Sequence, residues 1–119
     1  MTEALNIERS SEFPFQEVLA LTGPLTAATG PIFQNAMRRE APADTVILDL
    51  SEVPYIDSSG LGLLVTAYVT RKKAGRKMVL SGVNQRVQRL LEVTHTLNLF
   101  LIFSTPEEAI AALSSAARA

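Results

Sequence analysis

The feature that most constrains the fold is a short apolar run near the middle of the chain. Residues Thr45 to Leu50 read Thr-Val-Ile-Leu-Asp-Leu, so almost no position in the run suits contact with water. Such a run predicts a strand whose two faces are both covered, which is typical of parallel sheets flanked by helices. A helical pattern follows it, because four apolar side chains recur at the spacing of one helix face: Leu61, Leu64, Val65 and Tyr68.

Strands and a helix are also predicted before this run. Leu5 to Arg9 and Glu17 to Leu21 have the composition of two short strands, and the polar residues Ser10 to Glu12 between them predict a turn. A helix is predicted to begin near Pro31, because the fixed φ of proline suits the first helical position. The chain is therefore expected to open with a hairpin that leads into a helix.

The alternation of strand and helix continues after the central helix. Met78 to Leu80 predicts a strand, and Asn84 is a favourable N-cap for a helix that follows it. Leu99 to Phe103 is a second apolar run and predicts another strand. The last helix has the pattern of a capping box, in which Thr105 is the cap and Glu108 its partner three residues later.

These elements predict an α/β fold with about five strands and about four helices. Strands separated by helices pair in parallel through right-handed crossovers, whereas the opening hairpin is antiparallel, so the sheet is expected to be mixed. The length of 119 residues is that of one ordinary domain. We therefore expect a single domain over residues 1–119, with a short flexible tail near residues 114–119.

Composition excludes several classes of site and of location. The chain has no cysteine and one histidine, His95, so neither a disulfide framework nor a multi-histidine metal site is expected, and no cofactor is implied. The 11 basic and 12 acidic residues nearly cancel, so no global field attracts nucleic acid or anionic lipid. The N-terminus lacks the pattern of a signal peptide, and no apolar stretch has the roughly 20 residues that span a bilayer. We expect a cytoplasmic protein that does not insert into membranes.

One basic cluster departs from this balance of charge. It follows the central helical pattern and consists of Arg71, Lys72, Lys73, Arg76 and Lys77. Cations near a helix C-terminus are favoured by the negative end of the helix dipole, so the cluster is readily interpreted as a solvated helix end. A contact with a partner is the alternative interpretation.

The segment from Asp57 to Gly62 reads Asp-Ser-Ser-Gly-Leu-Gly and has the most unusual composition in the chain. Asp57 can accept hydrogen bonds from the first helical turn, which stabilises a helix by about 1 kcal/mol. Gly60 and Gly62 fall inside the predicted helix, where each glycine costs about 1 kcal/mol relative to alanine. Two such costs indicate that something approaches this backbone closely, either another part of the fold or another protein. An ordinary capped helix with tight packing is the alternative.

Enzyme sites fit this segment poorly. Ser58, His95 and an aspartate supply the residue types of a hydrolase triad. The nucleophile-elbow pattern Gly-x-Ser-x-Gly is absent, however, because no glycine precedes the serine. Gly60-Leu61-Gly62 is only half of a dinucleotide-binding fingerprint and lies inside the predicted helix.

The residues around this segment resemble the central motif of STAS domains. The resemblance is carried by Val46 to Leu50 and by Ile56 to Gly62, and it extends to Leu21 to Leu25, Met78 to Leu80 and Val87 to Leu91. It covers nearly the whole chain, and the chain looks most like the stand-alone anti-sigma factor antagonists of bacteria. The resemblance implies the STAS fold and a regulatory binding module, not an enzyme.

In that family the first serine after the aspartate accepts phosphate, and the matching residue here is Ser58. The resemblance implies a partner that is both an anti-sigma factor and a serine kinase of the histidine-kinase-like ATPase type. Unphosphorylated protein binds this partner and frees a sigma factor, phosphorylation ends that binding, and a phosphatase is expected to reverse it. The residues expected to contact the partner are Gly23, Thr26, Asp57, Ser58, Ser59, Gly60, Leu61 and Gly62.

The alternative within the same family is a constitutive STAS scaffold without a phospho-switch. Examples would be a regulatory subunit of a stress-sensing assembly or of a lipid-transport complex. The chain also departs from the family in the loop after Gly23, where relatives often have acidic residues in a pattern like Gly-Glu-Leu-Asp. Here the loop reads Gly23-Pro24-Leu25-Thr26, so contact with the kinase or the efficiency of phosphorylation is expected to differ.

Overall fold

The structure of the protein is a computed structural model that describes residues 4–13, 16–38 and 44–118. Strands and helices alternate along these residues after an opening pair of strands, as the sequence predicts. The elements are β1 (Asn6–Phe13), β2 (Gln16–Thr22), α1 (Gly30–Arg38), β3 (Thr45–Glu52), α2 (Ser58–Lys73), β4 (Lys77–Ser81), α3 (Gln85–Val93), a short 3-10 turn (Leu97–Leu99), β5 (Ile102–Phe103) and α4 (Pro106–Arg118).

The five strands form one mixed sheet in the order β1-β2-β3-β4-β5. β1 pairs with β2 antiparallel, and the three remaining pairs are parallel. The prediction of a mixed α/β sheet with five strands and four helices is confirmed. Because β2 to β5 run in the same direction, their carboxyl ends meet at one edge of the sheet. The loops that lead into α1, α2 and α3 start from that edge.

The core has two layers, one on each face of the sheet. The larger layer contains buried side chains from α1, α2 and α3, such as Phe33, Leu64 and Leu91. The smaller layer packs Ala109 of α4 against Ile47 and its neighbours. Ile47 and Leu48 are both fully buried and point to opposite layers, so β3 is covered on both faces as its composition predicts.

The turn predicted at Ser10 to Glu12 is wrong, because β1 continues through these residues to Phe13. Ser10 pairs with Val18 and Ser11 with Glu17, and the register shifts only between Ser11 and Phe13. β1 is an edge strand, and the side chains of Ser10 and Ser11 are exposed. Polar residues therefore fit a strand here, and polarity was a poor guide to a turn. The residues that join β1 to β2 are 14–15, which lie outside the described residues.

The strand predicted over Leu99 to Phe103 is also wrong in most of its length. The chain leaves α3 through His95, whose φ of 59° lies in the left-handed region, and then forms the 3-10 turn. Phe100 is buried in the larger layer, and β5 pairs with β4 only at Ile102 and Phe103. The early part of the apolar run is therefore a turn that inserts one aromatic ring into the core.

The predicted linker and the predicted tail are only partly described. The linker at residues 41–44 lies outside the described residues except for Asp44. The backbone of α4 is helical to Arg118, residue 119 lies outside the described residues, and the flexibility predicted for the tail stays a prediction. In the part of the chain that the structure describes, no helix is both long and apolar enough to cross a bilayer.

Candidate functional site

The segment singled out in the sequence lies at the carboxyl edge of the sheet, where the chain passes from β3 into α2. Asp57 is the N-cap of α2, with an extended backbone (φ −92°, ψ −179°). Its Oδ1 accepts a hydrogen bond of 2.8 Å from the backbone N–H of Gly60, and its carbonyl oxygen accepts one of 2.8 Å from Leu61. The predicted cap is confirmed, and it fixes the direction in which α2 presents its first turn.

A second loop, residues 23–29 between β2 and α1, runs alongside this helix start. The N–H of Leu25 donates to the carbonyl of Tyr55 at 3.2 Å, and the N–H of Asp57 donates to the carbonyl of Leu25 at 3.1 Å. The N–H of Ala27 donates to Asp57 Oδ2 at 3.3 Å. Both carboxylate oxygens of Asp57 therefore bind backbone N–H groups, one from its own helix and one from the neighbouring loop.

The two glycines of α2 occupy opposite environments. A Cβ added at Gly60 would lie 2.1 Å from the carbonyl oxygen of Leu25, so the backbone of the neighbouring loop is what approaches this position. A Cβ at Gly62 would meet no atom within 4 Å, and Gly62 is exposed. The sequence predicts that something approaches the backbone closely at both glycines. At Gly60 that neighbour is the loop that contains Leu25, whereas at Gly62 no described part of the fold comes close.

Gly23 and Thr26 shape the neighbouring loop from within. Gly23 has a φ of 114°, and a Cβ there would lie 2.0 Å from the carbonyl oxygen of Ala4. Thr26 is buried, and its N–H donates to the hydroxyl of Thr29 at 2.9 Å. The Thr29 hydroxyl in turn donates to the carbonyl of Pro24 at 2.9 Å. These contacts fix the shape of the loop that lies beside the start of α2.

The exposed part of the site is small, and we call it the Ser58 surface: Ser58, Ser59 and Gly62. Within the described residues, neither serine hydroxyl has a hydrogen-bond partner. Asp57 is half-buried beside them, whereas the side chain of Leu61 belongs to the core. The structure therefore brings all eight predicted site residues to one edge of the sheet, but only some of them present a side chain or bare backbone to solvent.

The residues that flank this surface on the side of α3 were not predicted as part of the site. Asn84 caps α3 as predicted, with Oδ1 accepting from the N–H of Val87 at 2.8 Å. Its Nδ2 also donates to the carbonyls of Val53 at 3.0 Å and Pro54 at 3.3 Å, so it ties α3 to the loop before Asp57. The guanidinium of Arg86 lies 4.9 Å from the centre of the Tyr55 ring. Only the capping role could be read from local sequence.

The hydrolase residue types are not brought together. Asn84, at the start of α3, contacts the loop before Asp57, whereas His95 lies just beyond the end of α3. The nine residues of α3 span about 13 Å, so His95 is separated from Ser58 by roughly the length of this helix. His95 is exposed, and neither its imidazole nor the Ser58 hydroxyl makes a side-chain hydrogen bond among the described residues. A search of the same residues finds no group of three acidic or histidine side chains that could hold a metal ion.

A family model, named relatives and solved structures are similar to this chain. A family model described as "STAS domain" matches residues 6–109. The anti-sigma-B factor antagonist of Staphylococcus aureus (strain NCTC 8325) is 33% identical over 93 residues, which cover 76% of this chain and 84% of that protein.

Solved structures with the same fold include the anti-sigma factor antagonist SpoIIAA in its unphosphorylated form. The TM-score is 0.76 at 18% identity, and the match covers 92% of this chain and 97% of SpoIIAA. The Bacillus protein SpoIIAA in its phosphorylated form matches with a TM-score of 0.71 at 16% identity, over 91% of this chain and 99% of that one. At these identities the likeness shows the fold.

Proposed function

Because the chain belongs to the STAS domain family, we propose that it is an anti-sigma factor antagonist that is switched by phosphorylation of Ser58. In its unphosphorylated form it binds an anti-sigma factor that is also a serine kinase of the histidine-kinase-like ATPase type. This binding frees a sigma factor in the cytoplasm. Phosphorylation of Ser58 by the same kinase ends the binding, and a phosphatase restores it.

The observation that carries this proposal is the exposed hydroxyl of Ser58 at a fixed helix start. The hydroxyl has no hydrogen-bond partner among the described residues, so nothing in that part of the chain competes with an incoming phosphoryl donor. In the transfer, the Ser58 oxygen forms a bond to the γ-phosphorus of ATP and the bond to the β-phosphate oxygen breaks. ADP leaves, and the hydroxyl proton passes to a base of the kinase. Such transfer depends chiefly on positioning, which the capped helix provides.

The same position explains why a phosphate would end binding. A phosphoserine adds about −1.5 to −2 charges and a bulky group at one point. The carboxylate of Asp57 precedes it directly, so negative charge accumulates on a surface that a partner must contact closely. A partner surface that fits a neutral hydroxyl loses this fit, and a loss of about 3 kcal/mol weakens binding by more than about 100-fold.

The fold itself is expected to tolerate the modification. Ser58 is the first residue of α2, where the backbone N–H groups and the helix dipole favour negative charge. Its side chain is exposed, so the phosphate displaces no core residue. The modification is therefore read by the partner as a local change of charge, while the domain stays folded.

Gly62 supports a partner that approaches α2 closely. It is exposed and lies one helical turn after Ser58, and no atom of the described chain would meet a Cβ there. Glycine at an interior helix position costs about 1 kcal/mol, which nothing in the described fold offsets. A partner backbone that packs against the bare helix offsets it, since a bare glycine lets another chain come nearer than any side chain does.

The proposal is tested with paired baits in a pull-down from a lysate of the source organism. The baits are the wild-type chain, Ser58→Ala, Ser58→Asp and, as a matched control outside the site, Ser10→Asp at an exposed serine of the edge strand β1. We expect wild type, Ser58→Ala and Ser10→Asp to capture one small ATP-binding kinase that Ser58→Asp does not capture. Equal capture of the same partners by all four baits would contradict the switch, and the constitutive scaffold would then be the better interpretation.

A further inference from the structure

A groove of about 440 Å³ lies at the end of α2 that is remote from Ser58. It opens between the last turns of α2, the start of β4 and the segment that precedes β5. Its apolar lining includes Leu99, Leu101 and Leu113. We call it the basic groove, because its polar lining includes three cations: Lys72, Arg76 and Lys77.

The apolar side of the basic groove is exposed although its sequence predicts burial. Leu101 is 55% exposed and Leu99 is 40% exposed, and these are two of the five large apolar side chains that the described chain leaves exposed. β5 pairs with β4 only at Leu80 and Ser81, so no strand lies beside the first half of β4 on that side within the described residues. Single exposed apolar residues are ordinary, whereas neighbouring ones beside a groove indicate an interaction surface.

The charge of the basic groove is positive in a protein whose net charge is −1. No acidic side chain is among the described residues that line it. The helix dipole accounts for cations in the last turn of α2, but α2 ends at Lys73, and Arg76 and Lys77 follow the helix.

We propose that the basic groove binds an acidic, apolar segment of a partner protein. Carboxylates of that segment contact Lys72, Arg76 and Lys77, and its apolar side chains pack against Leu99 and Leu101. Charge decides this choice of occupant, because a second copy that packed the same groove across a two-fold axis would bring these cations together. A concave groove of about 440 Å³ accommodates a protein segment, whereas a membrane anchor of this kind buries the apolar face of an amphipathic helix.

This binding is independent of the phosphorylation switch. The groove and Ser58 lie at opposite ends of α2, whose 16 residues span about 24 Å. Two partners can therefore occupy the domain at the same time, one at each end of the helix. The domain then acts as an adaptor that brings the kinase near a second, acidic protein.

The test is a titration of the isotope-labelled chain, followed by backbone amide shifts in NMR spectra. The probe is a helical peptide of leucine and glutamate with leucines at the three- and four-residue spacing, and its counterpart has lysine in place of every glutamate. We expect only the acidic peptide to bind, with shifts at residues 72–79 and 99–101 and none at residues 58–62. We expect its affinity to fall about tenfold between roughly 0.05 and 0.5 M salt.

Variants of the chain show whether the peptide occupies the groove. We expect Leu101→Ser to weaken binding about tenfold and Lys77→Glu about fivefold. The matched controls are Ile32→Ser, an exposed apolar residue of α1, and Arg89→Glu, an exposed cation of α3, which should change it less than about twofold. Amide spectra of each variant show whether it is folded.

Four results would overturn the proposal: no binding of the acidic peptide, equal binding of the basic peptide, binding that the groove variants leave unchanged, and shifts confined to another surface. If the groove instead binds vesicles of phosphatidylglycerol, its occupant is a membrane and the proposal of a partner protein is wrong. If the wild-type chain self-associates and Leu101→Ser abolishes this, the occupant of the groove is a second copy of the chain and the proposal of a partner protein is wrong.

Discussion

Two helices of this fold, α2 and α3, begin with the same kind of cap but differ in what surrounds it. α2 and α3 both follow a parallel strand, and both begin after an extended capping residue, Asp57 and Asn84. Each cap accepts a hydrogen bond of 2.8 Å from the N–H three residues later. Judged by the first turn alone, the two helix starts are equivalent.

The two helix starts differ in the second polar group of the capping side chain and in the residues that follow the cap. Asn84 uses its amide donors to hold the carbonyls of Val53 and Pro54, so it joins two elements of the fold. Asp57 can only accept hydrogen bonds while it is ionised, and the serine after it presents an exposed hydroxyl that has no partner among the described residues. Both caps are therefore structural joints, since Asp57 Oδ2 accepts a hydrogen bond from the N–H of Ala27 in the neighbouring loop. The difference lies in the charge of the cap and in the residue that follows it, which at α2 presents a hydroxyl to solvent.

The largest expected effect concerns the two glycines of α2. Gly60→Ala would place a methyl group 2.1 Å from the carbonyl oxygen of Leu25, and that oxygen is itself fixed by the N–H of Asp57. We expect the free energy of unfolding to fall by about 3 kcal/mol. Gly62→Ala is the matched control and should raise it by about 0.5–1 kcal/mol, because the added methyl group meets open space.

Urea unfolding of the two glycine variants measures both effects. Equal stabilities of Gly60→Ala and Gly62→Ala would contradict the close approach of the neighbouring loop to α2. If Gly62→Ala is more stable but captures less of the kinase in the pull-down, glycine at this position is needed for contact with the partner and not for folding.

An exchange of the two caps sharpens the comparison between the helices. Asn84→Asp keeps the cap acceptor but turns a carboxylate oxygen towards two carbonyl oxygens, so we expect a loss of about 1–2 kcal/mol in the free energy of unfolding. Asp57→Asn also keeps a cap acceptor but turns an amide donor towards the N–H of Ala27. It should lose only about 0.5–1 kcal/mol, because that bond is a single, exposed one of 3.3 Å and the interaction with the helix dipole weakens only slightly.

Thermal unfolding of the two cap variants at neutral pH gives the order of their stabilities. The reverse order, with Asp57→Asn the more damaging, would show that the carboxylate of Asp57 is needed for folding. Its place beside Ser58 would then be a structural necessity and no longer an argument for a charge-sensitive surface.

The smallest expected effect on stability is at Ser58 itself. Ser58→Ala and Ser58→Asp should each change the free energy of unfolding by less than about 0.5 kcal/mol, because the side chain is exposed and a helix N-terminus accepts negative charge. Urea unfolding of both variants also serves as the control for the pull-down. A marked loss of stability in Ser58→Asp would mean that lost capture reports unfolding.

The parts of the fold that could be predicted from the sequence are those decided within a few residues. The helices begin near Pro31, after Asp57, after Asn84 and after Thr105, as their capping signals predict, and the Thr105 hydroxyl accepts from the N–H of Glu108 at 3.1 Å. A cap, its acceptor and its donor lie within one turn, so the local sequence is sufficient. The buried strand β3 was equally readable, because its composition excludes an exposed face.

The predictions from sequence are wrong or incomplete where the local structure depends on residues far away along the chain. The run Leu99 to Phe103 has the composition of a buried strand. The turn after His95 takes up its first residues, however, and Phe100 alone in the run is fully buried, while Ile102 and Phe103 pack partly against the core. In the site, Gly60 and Gly62 could not be distinguished, because the Leu25 carbonyl that excludes a side chain at Gly60 is 35 residues away in the sequence. The same holds for the amide donors of Asn84, whose acceptors are 30 and 31 residues away.

The most direct test of the phosphorylation switch is the affinity of the captured kinase for two purified forms of this chain. One form is unmodified, and the other has phosphoserine introduced at position 58 during synthesis; phosphoserine at position 10, an exposed serine of the edge strand β1, is the control. By isothermal titration calorimetry we expect phosphorylation at Ser58 to weaken binding by more than about 100-fold, or about 3 kcal/mol, and phosphorylation at Ser10 to change it less than about twofold. Affinities of the unmodified and Ser58-phosphorylated forms that agree within about threefold, or about 0.65 kcal/mol, would contradict the switch.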